Sequence, residues 1–180
     1  MPLRYGLLGL MPQLPQPVKR KIFVSYHHDS DQAYYNEFSR FFSDTYEAVQ
    51  DSSLNRLVDS NNTDYVMQRI RDNHITGTSC TIVLCGPQTR WRKYIDWEVK
   101  ATLDKQHGLI GIQIPSNIPD LQGRVHVPDR LNDNIVSGYA IWTSWSILTI
   151  EHLRASIEAA NTKSKSLIVN NRTMRSRNGD

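Results

Sequence analysis

Residues 79–85 read Ser-Cys-Thr-Ile-Val-Leu-Cys, and this nearly continuous apolar run decides the fold class of the chain. A strand without polar alternation is typical of the interior of a parallel sheet, where helices cover both faces. The apolar residues that follow recur every four positions, which predicts a helix with one face packed on a core. They are Trp91, Ile95, Val99 and Leu103. A buried strand therefore leads directly into an amphipathic helix.

Further strands are predicted on both sides of this unit. Residues 21–26 are β-branched and aromatic and predict a first strand, and residues 48–51 predict a short second one. After the central unit, residues 109–114 predict a strand that ends at Pro115, and residues 139–142 predict the last strand.

Helices are predicted in the intervals between these strands. Asp29 or Ser30 can cap a first helix, whose apolar face would contain Ala33, Phe38, Phe41 and Phe42. A second helix is predicted from a cap at Asn62 or Thr63, and another over residues 147–160. Residues 116–134 contain two prolines and no strong period, which predicts a long loop.

The repeated order of strand and helix predicts an α/β fold. We expect a flavodoxin-like three-layer sandwich, in which a central parallel sheet is flanked by helices. The length of 180 residues, with 39% hydrophobic and 22% charged residues, fits one globular domain, predicted over residues 21–160. Residues 1–20 carry several prolines and predict an extended leader. Residues 161–180 hold five of the 21 basic residues and predict a flexible, solvated tail.

Several classes of protein and site are excluded by these patterns. No apolar run approaches the roughly 20 residues that span a bilayer, and the short run at residues 7–11 has no convincing cleavage site, so we expect a cytoplasmic protein. The basic tail has no aromatic residue for base stacking, which argues against nucleic acid as a partner. Cys80 and Cys85 are five residues apart in a strand, so they face opposite sides and are predicted to be reduced core residues.

A metal site is not expected either. His27 and His28, with Asp29 and Asp31 nearby, resemble a set of metal ligands. However, adjacent histidines on an extended segment point to opposite sides, and no third ligand lies at a suitable spacing.

A ligand cleft is predicted where the first strand and the buried strand end. In open parallel sheets, ligands bind beyond the carboxyl ends of the strands. A glycine there allows close approach to a ligand, and aromatic residues offer flat surfaces for an adenine or nicotinamide ring. The predicted binding residues are Tyr26, His27, His28, Asp29, Cys85, Gly86, Trp91 and Tyr94.

Glu98 is the candidate for the chemistry. At about 100° per residue it lies roughly 60° from Ile95, at the border of the buried helix face. A carboxylate there can stabilise positive charge that develops on a ribose ring. The alternative is a solvated face on which Glu98 pairs with Lys93 or Arg92. Trp97 lies near the side opposite Ile95, which favours an exposed or interface position.

Four segments, taken in order, resemble one known family. They are residues 21–29 (KIFVSYHHD), residues 75–86 (ITGTSCTIVLCG) with 89–90 (TR) and 92–99 (RKYIDWEV), residues 127–134 (VPDRLNDN), and residues 138–140 (GYA) with 142–145 (WTSW). Together they resemble the bacterial TIR-like domains typified by the Thoeris anti-phage protein. The resemblance implies a TIR-like strand arrangement and makes Glu98 the catalytic residue. Where the family often has Trp four residues before this glutamate, the chain has Tyr94.

The resemblance also implies an activity. The expected enzyme takes NAD as its substrate, needs no further cofactor, and cleaves the nicotinamide N-glycosidic bond to give a cyclic ADP-ribose-type messenger. The expected partners are a phage-derived activator protein and further copies of the chain. Two alternatives stay open at this point: a TIR-like module for protein interaction, and a domain that senses NAD or ADP-ribose without turnover.

Overall fold

The computed structural model describes residues 19–50 and 62–179. The predicted leader up to residue 18, and Asp51 of the predicted second strand, lie outside these residues. The strands are β1 (Arg20–Ser25), β2 (Tyr46–Gln50), β3 (Cys80–Cys85), β4 (Gly108–Gln113) and β5 (Ile141–Ser144). The helices are α1 (His28–Phe42), α2 (Thr63–Ile70), α3 (Lys93–Asp104), α4 (Asp129–Val136) and α5 (Ile150–Asn161). Within the described ranges, no helix combines the length and the apolar character that a membrane crossing requires.

The five strands form one parallel sheet in the order β2-β1-β3-β4-β5. All six residues of β3 are buried, as the apolar run predicts. The chain winds outward from β1 to β2 and then returns to β3 on the other side of β1. The winding therefore reverses between β1 and β3, and in such sheets this reversal is where ligands bind. The α/β, flavodoxin-like fold predicted from the sequence is confirmed.

The helices form layers on both faces of the sheet. On one face, α1 and α5 pack Phe38 and Leu153 against alternate sheet residues such as Ile82. On the other face, α3 and α4 pack against the residues between them, and Val99 of α3 meets Val83 there. Cys80 and Cys85 belong to these two different cores, and both are buried and free, so their predicted opposite orientation is confirmed.

The helix α4 corrects the prediction of a long loop through residues 116–134. It begins directly after Pro128, whose fixed φ is compatible with the position before a first helical turn. Leu131 is fully buried, and Ile135 packs against the same core. Two core-facing apolar positions in a helix of eight residues are too few to give a detectable period, since the third apolar residue, Val136, is exposed. The loop prediction holds only for the residues before Asp129.

The environment of Trp97 corrects a second expectation. Its side chain is only 5% exposed and packs with Met67 and Ile70 of the neighbouring helix α2. The indole Nε1 donates a 2.8 Å hydrogen bond to the backbone oxygen of Arg175. The helix α3 is covered by other elements on the side away from the sheet as well, so the face opposite Ile95 is not a solvent face.

Two helix ends test the predicted caps. Asn62 caps α2, because its side chain accepts a hydrogen bond from the backbone nitrogen of Tyr65 at 3.1 Å, and this prediction is confirmed. The helix α1 instead begins at His28, so Asp29 and Ser30 lie inside its first turn. Phe41, predicted on the core face of that helix, is more than half exposed.

The segment of residues 164–179, here called the C-terminal strap, lies against α3 and α4. Asn170 donates from Nδ2 to Oδ1 of Asp104 at 2.8 Å, and Asn134 and Val169 exchange two hydrogen bonds. The sequence predicts a flexible, solvated end here, and in the structure these partly exposed residues make contacts with the domain. The contacts are mostly hydrogen bonds between polar groups, which leave no hydrophobic period in the sequence.

A buried ion pair attaches the strap to both helices. Arg130 of α4 is fully buried, and its Nε lies 2.9 Å from Oδ1 of Asp96 on α3. The same guanidinium donates to the backbone oxygens of Arg172 and Thr173 in the strap. Asp96 in turn accepts from the backbone nitrogen of Arg175 at 2.9 Å. One charged pair therefore holds three segments together.

Candidate active site

A pocket opens at the carboxyl end of β1, beside the first two turns of α3. It lies where the sheet reverses its winding, which is the location that the strand order predicts. Its lining combines one acidic side chain from the helix with aromatic, imidazole and polar side chains from the segment after β1. Its described lining residues are Val24, Ser25, Tyr26, His27, His28, Asp29, Arg92, Tyr94, Ile95, Glu98 and Asn178.

Glu98 forms one wall of this pocket and is only 5% exposed. The hydroxyl of Ser25, the last residue of β1, donates a 2.5 Å hydrogen bond to its Oε2. The sequence placed Glu98 at the border of the buried face, and the structure turns it toward the end of the first strand. It is not paired on a solvated helix face, which was the alternative interpretation.

The segment after β1 brings four predicted residues into the pocket. Tyr26 is 4% exposed and stacks on Tyr35 with ring centroids 4.6 Å apart, so the tyrosine serves the core as well as the pocket wall. The imidazole of His28 contacts the ring of Tyr26, with centroids 4.3 Å apart. Nδ1 of His27 lies 2.7 Å from Oγ of Ser30. The side chain of Asp29, by contrast, is 91% exposed.

The charge state of His27 follows from its surroundings. Burial lowers the pKa of His27 below its ordinary value of 6.5, and the positive charge of Arg92 lowers it further. The nearby carboxylates of Asp29 and Asp31 act in the opposite direction but more weakly. The imidazole is therefore neutral at pH 7, with one ring nitrogen a donor and the other an acceptor.

Tyr94 also lines the pocket, as predicted, while three further predicted residues do not. Cys85 is fully buried in the core, and burial raises the pKa of its thiol, so it is inert there. Trp91 lies outside the lining and contacts Arg90, whose guanidinium carbon is 4.0 Å from the ring centroid. Gly86 is not a lining residue either.

The reason for a glycine at position 86 is a carboxylate rather than a ligand. A Cβ built at Gly86 would lie 2.4 Å from Oδ2 of Asp31, a distance that no real contact allows. Asp31 is fully buried and accepts hydrogen bonds from Ser30 and Thr89, at 2.9 and 3.3 Å. Burial raises the pKa of Asp31. This contact joins α1 to the loop that leads into α3, and so fixes the two sides of the pocket.

The sequence did not predict three polar residues of the pocket. Ser25 is adjacent to the predicted Tyr26 at the end of β1, so the rule on strand ends was sufficient to find it. For Arg92 the sequence indicates only a possible pairing with Glu98 on a solvated helix face. Asn178 comes from the C-terminal strap, and its Oδ1 accepts a 3.0 Å hydrogen bond from the backbone nitrogen of Lys93 at the start of α3. No local pattern signals that contact.

The arrangement suits the stabilisation of positive charge. A carboxylate held in a poorly hydrated pocket interacts with a nearby cation more strongly than it does in water. The hydrogen bond from Ser25 fixes the orientation of the Glu98 carboxyl group before any ligand arrives. Among residues 19–50 and 62–179, no group of three His, Cys, Asp or Glu residues is placed to hold a metal ion.

Comparison with protein families gives one match. The family described as Thoeris protein ThsB, TIR-like domain, matches residues 23–118, which is more than half of the chain. The matched residues run from β1 to the turn after β4 and include Ser25, Arg92 and Glu98. Asn178 and the rest of the C-terminal strap lie outside the match. A comparison with curated proteins found no match.

Proposed function

Because the chain belongs to the TIR-like domain family of the Thoeris protein ThsB, we propose that it is an NAD-consuming enzyme of anti-phage defence. Its reaction is cleavage of the nicotinamide N-glycosidic bond, with formation of a cyclic ADP-ribose-type signalling molecule. The observation that carries the proposal is the position of Glu98, which is almost fully buried and yet forms a wall of the pocket at the end of β1.

The chemistry of NAD makes one carboxylate sufficient. When the bond between C1′ and the pyridinium nitrogen breaks, the electron pair leaves with nicotinamide, which becomes neutral and needs no general acid. The ribosyl group becomes cationic, and Glu98 stabilises that charge more in the transition state than in the ground state. Ser25 keeps the carboxyl group oriented through its 2.5 Å hydrogen bond.

Two nucleophiles can capture the ribosyl cation. Attack by water, with loss of a proton to solvent, gives linear ADP-ribose. Attack by the adenosine part of the same molecule gives a cyclic product and keeps the diphosphate inside the ring. The pocket is lined by side chains from β1, α3 and the C-terminal strap, and walls on several sides favour capture by an atom of the same molecule.

The test is a comparison of three purified proteins incubated with NAD. They are the wild type, Glu98→Gln, and the control Glu37→Gln, which changes an exposed glutamate on α1. Each is assayed with and without lysate from phage-infected cells, because a defence enzyme is expected to be silent until it is triggered. Mass spectrometry identifies nicotinamide and the ADP-ribosyl product.

We expect product from the wild type and Glu37→Gln in infected lysate and none above background from Glu98→Gln. Equal product from all three proteins would show that Glu98 is not catalytic. No product from the wild type in infected lysate would favour a module that binds proteins or nucleotides without turnover.

A further inference from the structure

Arg92 places an unusual cationic group in the wall of the pocket. It is the residue directly before α3, it is half-buried, and it lines the pocket together with His27 and Glu98. Its Nη2 donates a 3.0 Å hydrogen bond to Oε1 of Gln88. Its Nε is shut off from solvent and has no hydrogen-bond partner in the part of the chain that the structure describes. A buried N–H without an acceptor is costly, and a shift of the Arg92 side chain toward a ligand oxygen would remove that cost.

The charge of Arg92 is also uncompensated by a salt bridge. In residues 19–50 and 62–179, no carboxylate lies within ion-pair distance of its guanidinium, whereas Arg130 and Arg172 each pair with an aspartate. The effect of this charge reaches His27, whose pKa it lowers. Asp29, the nearby acid, has a side chain that is 91% exposed and faces solvent. The pocket therefore holds a cationic site next to Arg92 and an anionic site next to Glu98.

We propose that Arg92 binds the diphosphate of the dinucleotide whose nicotinamide ribose lies beside Glu98. This inference rests on the proposed function and names a second contact in the same pocket. An arginine is suited to the role because its planar guanidinium donates two parallel hydrogen bonds to phosphate oxygens.

The spacing of the two residues fits the substrate. Arg92 and Glu98 are six residues apart, which is about 9 Å along a helix axis. In NAD, one ribose ring and one methylene group separate the glycosidic carbon from the first phosphate, and side chains at both ends can close the remaining gap. The charges correspond as well, because the cationic pyridinium end meets Glu98 and the anionic diphosphate meets Arg92. This arrangement also sets the direction in which the dinucleotide enters the pocket.

The test measures binding, so that it does not depend on turnover or on a phage trigger. Isothermal titration calorimetry compares ADP-ribose, which carries the diphosphate, with nicotinamide riboside, which carries no phosphate. The proteins are the wild type, Arg92→Gln, and the control Arg90→Gln, which removes a neighbouring arginine that contacts Trp91 outside the pocket lining. Thermal unfolding of each variant confirms that it folds.

We expect Arg92→Gln to weaken ADP-ribose binding at least tenfold and to change nicotinamide riboside binding less than twofold. Arg90→Gln should change neither. Equal weakening of both ligands, unchanged ADP-ribose affinity in Arg92→Gln, or no ADP-ribose binding by the wild type at millimolar concentration would each overturn the proposal. The outcome is separate from that of the NAD assay. If Arg92→Gln loses ADP-ribose affinity but the wild type does not turn over NAD, the diphosphate contact is supported and the enzymatic function is not. If turnover depends on Glu98 but Arg92→Gln binds ADP-ribose as the wild type does, the enzymatic function is supported and the diphosphate contact is not.

Discussion

Ser25 and Glu98 are 73 residues apart in the chain, and the hydroxyl of Ser25 donates a 2.5 Å hydrogen bond to Oε2 of Glu98. Both residues are almost fully buried, at 2% and 5% exposure. The bond connects the end of the first strand to the middle of α3 across the point where the sheet reverses. The proposed catalytic carboxyl group is therefore oriented by the sheet itself and not by a mobile loop.

Removing this bond should weaken both the fold and the activity. We expect Ser25→Ala to lower the free energy of unfolding by about 1–2 kcal/mol, because a buried hydrogen bond to the Glu98 carboxyl group is lost. A carboxyl group that is less firmly oriented should also lower NAD turnover about tenfold. Chemical denaturation and the NAD assay in infected lysate measure the two effects. Ser156→Ala, a buried serine on α5, serves as the control, and unchanged turnover in Ser25→Ala would contradict the positioning role.

The contact between Gly86 and Asp31 should appear as an energetic coupling. A Cβ at position 86 would lie 2.4 Å from Oδ2 of Asp31, and hydrogen bonds from Ser30 and Thr89 hold this buried carboxylate in place. We expect Gly86→Ala to cost about 1–3 kcal/mol of unfolding free energy. In an Asp31→Ala background the same substitution should cost at least about 1 kcal/mol less. Denaturation of the four proteins of this cycle gives the coupling, and strictly additive costs would argue against the clash.

Asp31 should also leave a signature in the pH dependence of stability. Burial raises the pKa of Asp31, so the folded protein holds this proton more tightly than the unfolded chain does. The contribution of this group to stability is then fully present below its ordinary pKa of 3.8 and is lost as the pH rises through the raised value.

Asp31→Asn removes this titration. We therefore expect the variant to gain stability relative to the wild type as the pH rises from 4 to 7. Denaturation at several pH values measures the difference. The control Asp44→Asn, at an exposed position after α1, should show a stability difference from the wild type that does not rise with pH. A difference that stays flat for Asp31→Asn would refute the raised pKa.

The buried pair of Arg130 and Asp96 should be the most sensitive contact outside the pocket. Arg130→Met leaves Asp96 buried without its partner, which typically costs about 3–5 kcal/mol. Arg172→Met breaks a more exposed pair with Asp133 and should cost less than about 1 kcal/mol. Urea denaturation of both variants gives the comparison. Similar small losses in the two would show that the buried pair does not hold the strap to the domain.

Asn178 allows the structural and binding roles of the strap to be separated. Its Oδ1 accepts from the backbone nitrogen of Lys93, so Asn178→Ala should cost about 1 kcal/mol of stability. Asn178→Asp keeps the acceptor and adds a negative charge at a helix start, which is favourable for stability. The same charge should weaken ADP-ribose binding, because Asn178 lines the pocket. Denaturation measures the stability and calorimetry the binding, and a fully stable Asn178→Ala would contradict the stabilising role of the hydrogen bond from Lys93.

The candidate site was predictable where local sequence rules apply. The segment from Tyr26 to Asp29 follows a strand, and Glu98 lies on the helix after the buried strand, so the rule on strand ends brings them together. The same rule placed Cys85 and Gly86 in the cleft, but their positions depend on which way β3 and its loop turn. Cys85 faces the core, and Gly86 makes room for Asp31.

The sequence by itself determined the α/β architecture and the order of most strands and helices, because hydrophobic periodicity is a local property that recurs along the chain. The family followed from the resemblance of specific sequence segments. Only the tertiary structure decided which polar groups meet. It buried Trp97, paired Arg130 with Asp96, and brought Asn178 to the pocket. These contacts join segments far apart in sequence through single hydrogen bonds and charges, which have no period and depend on the packing of the whole domain.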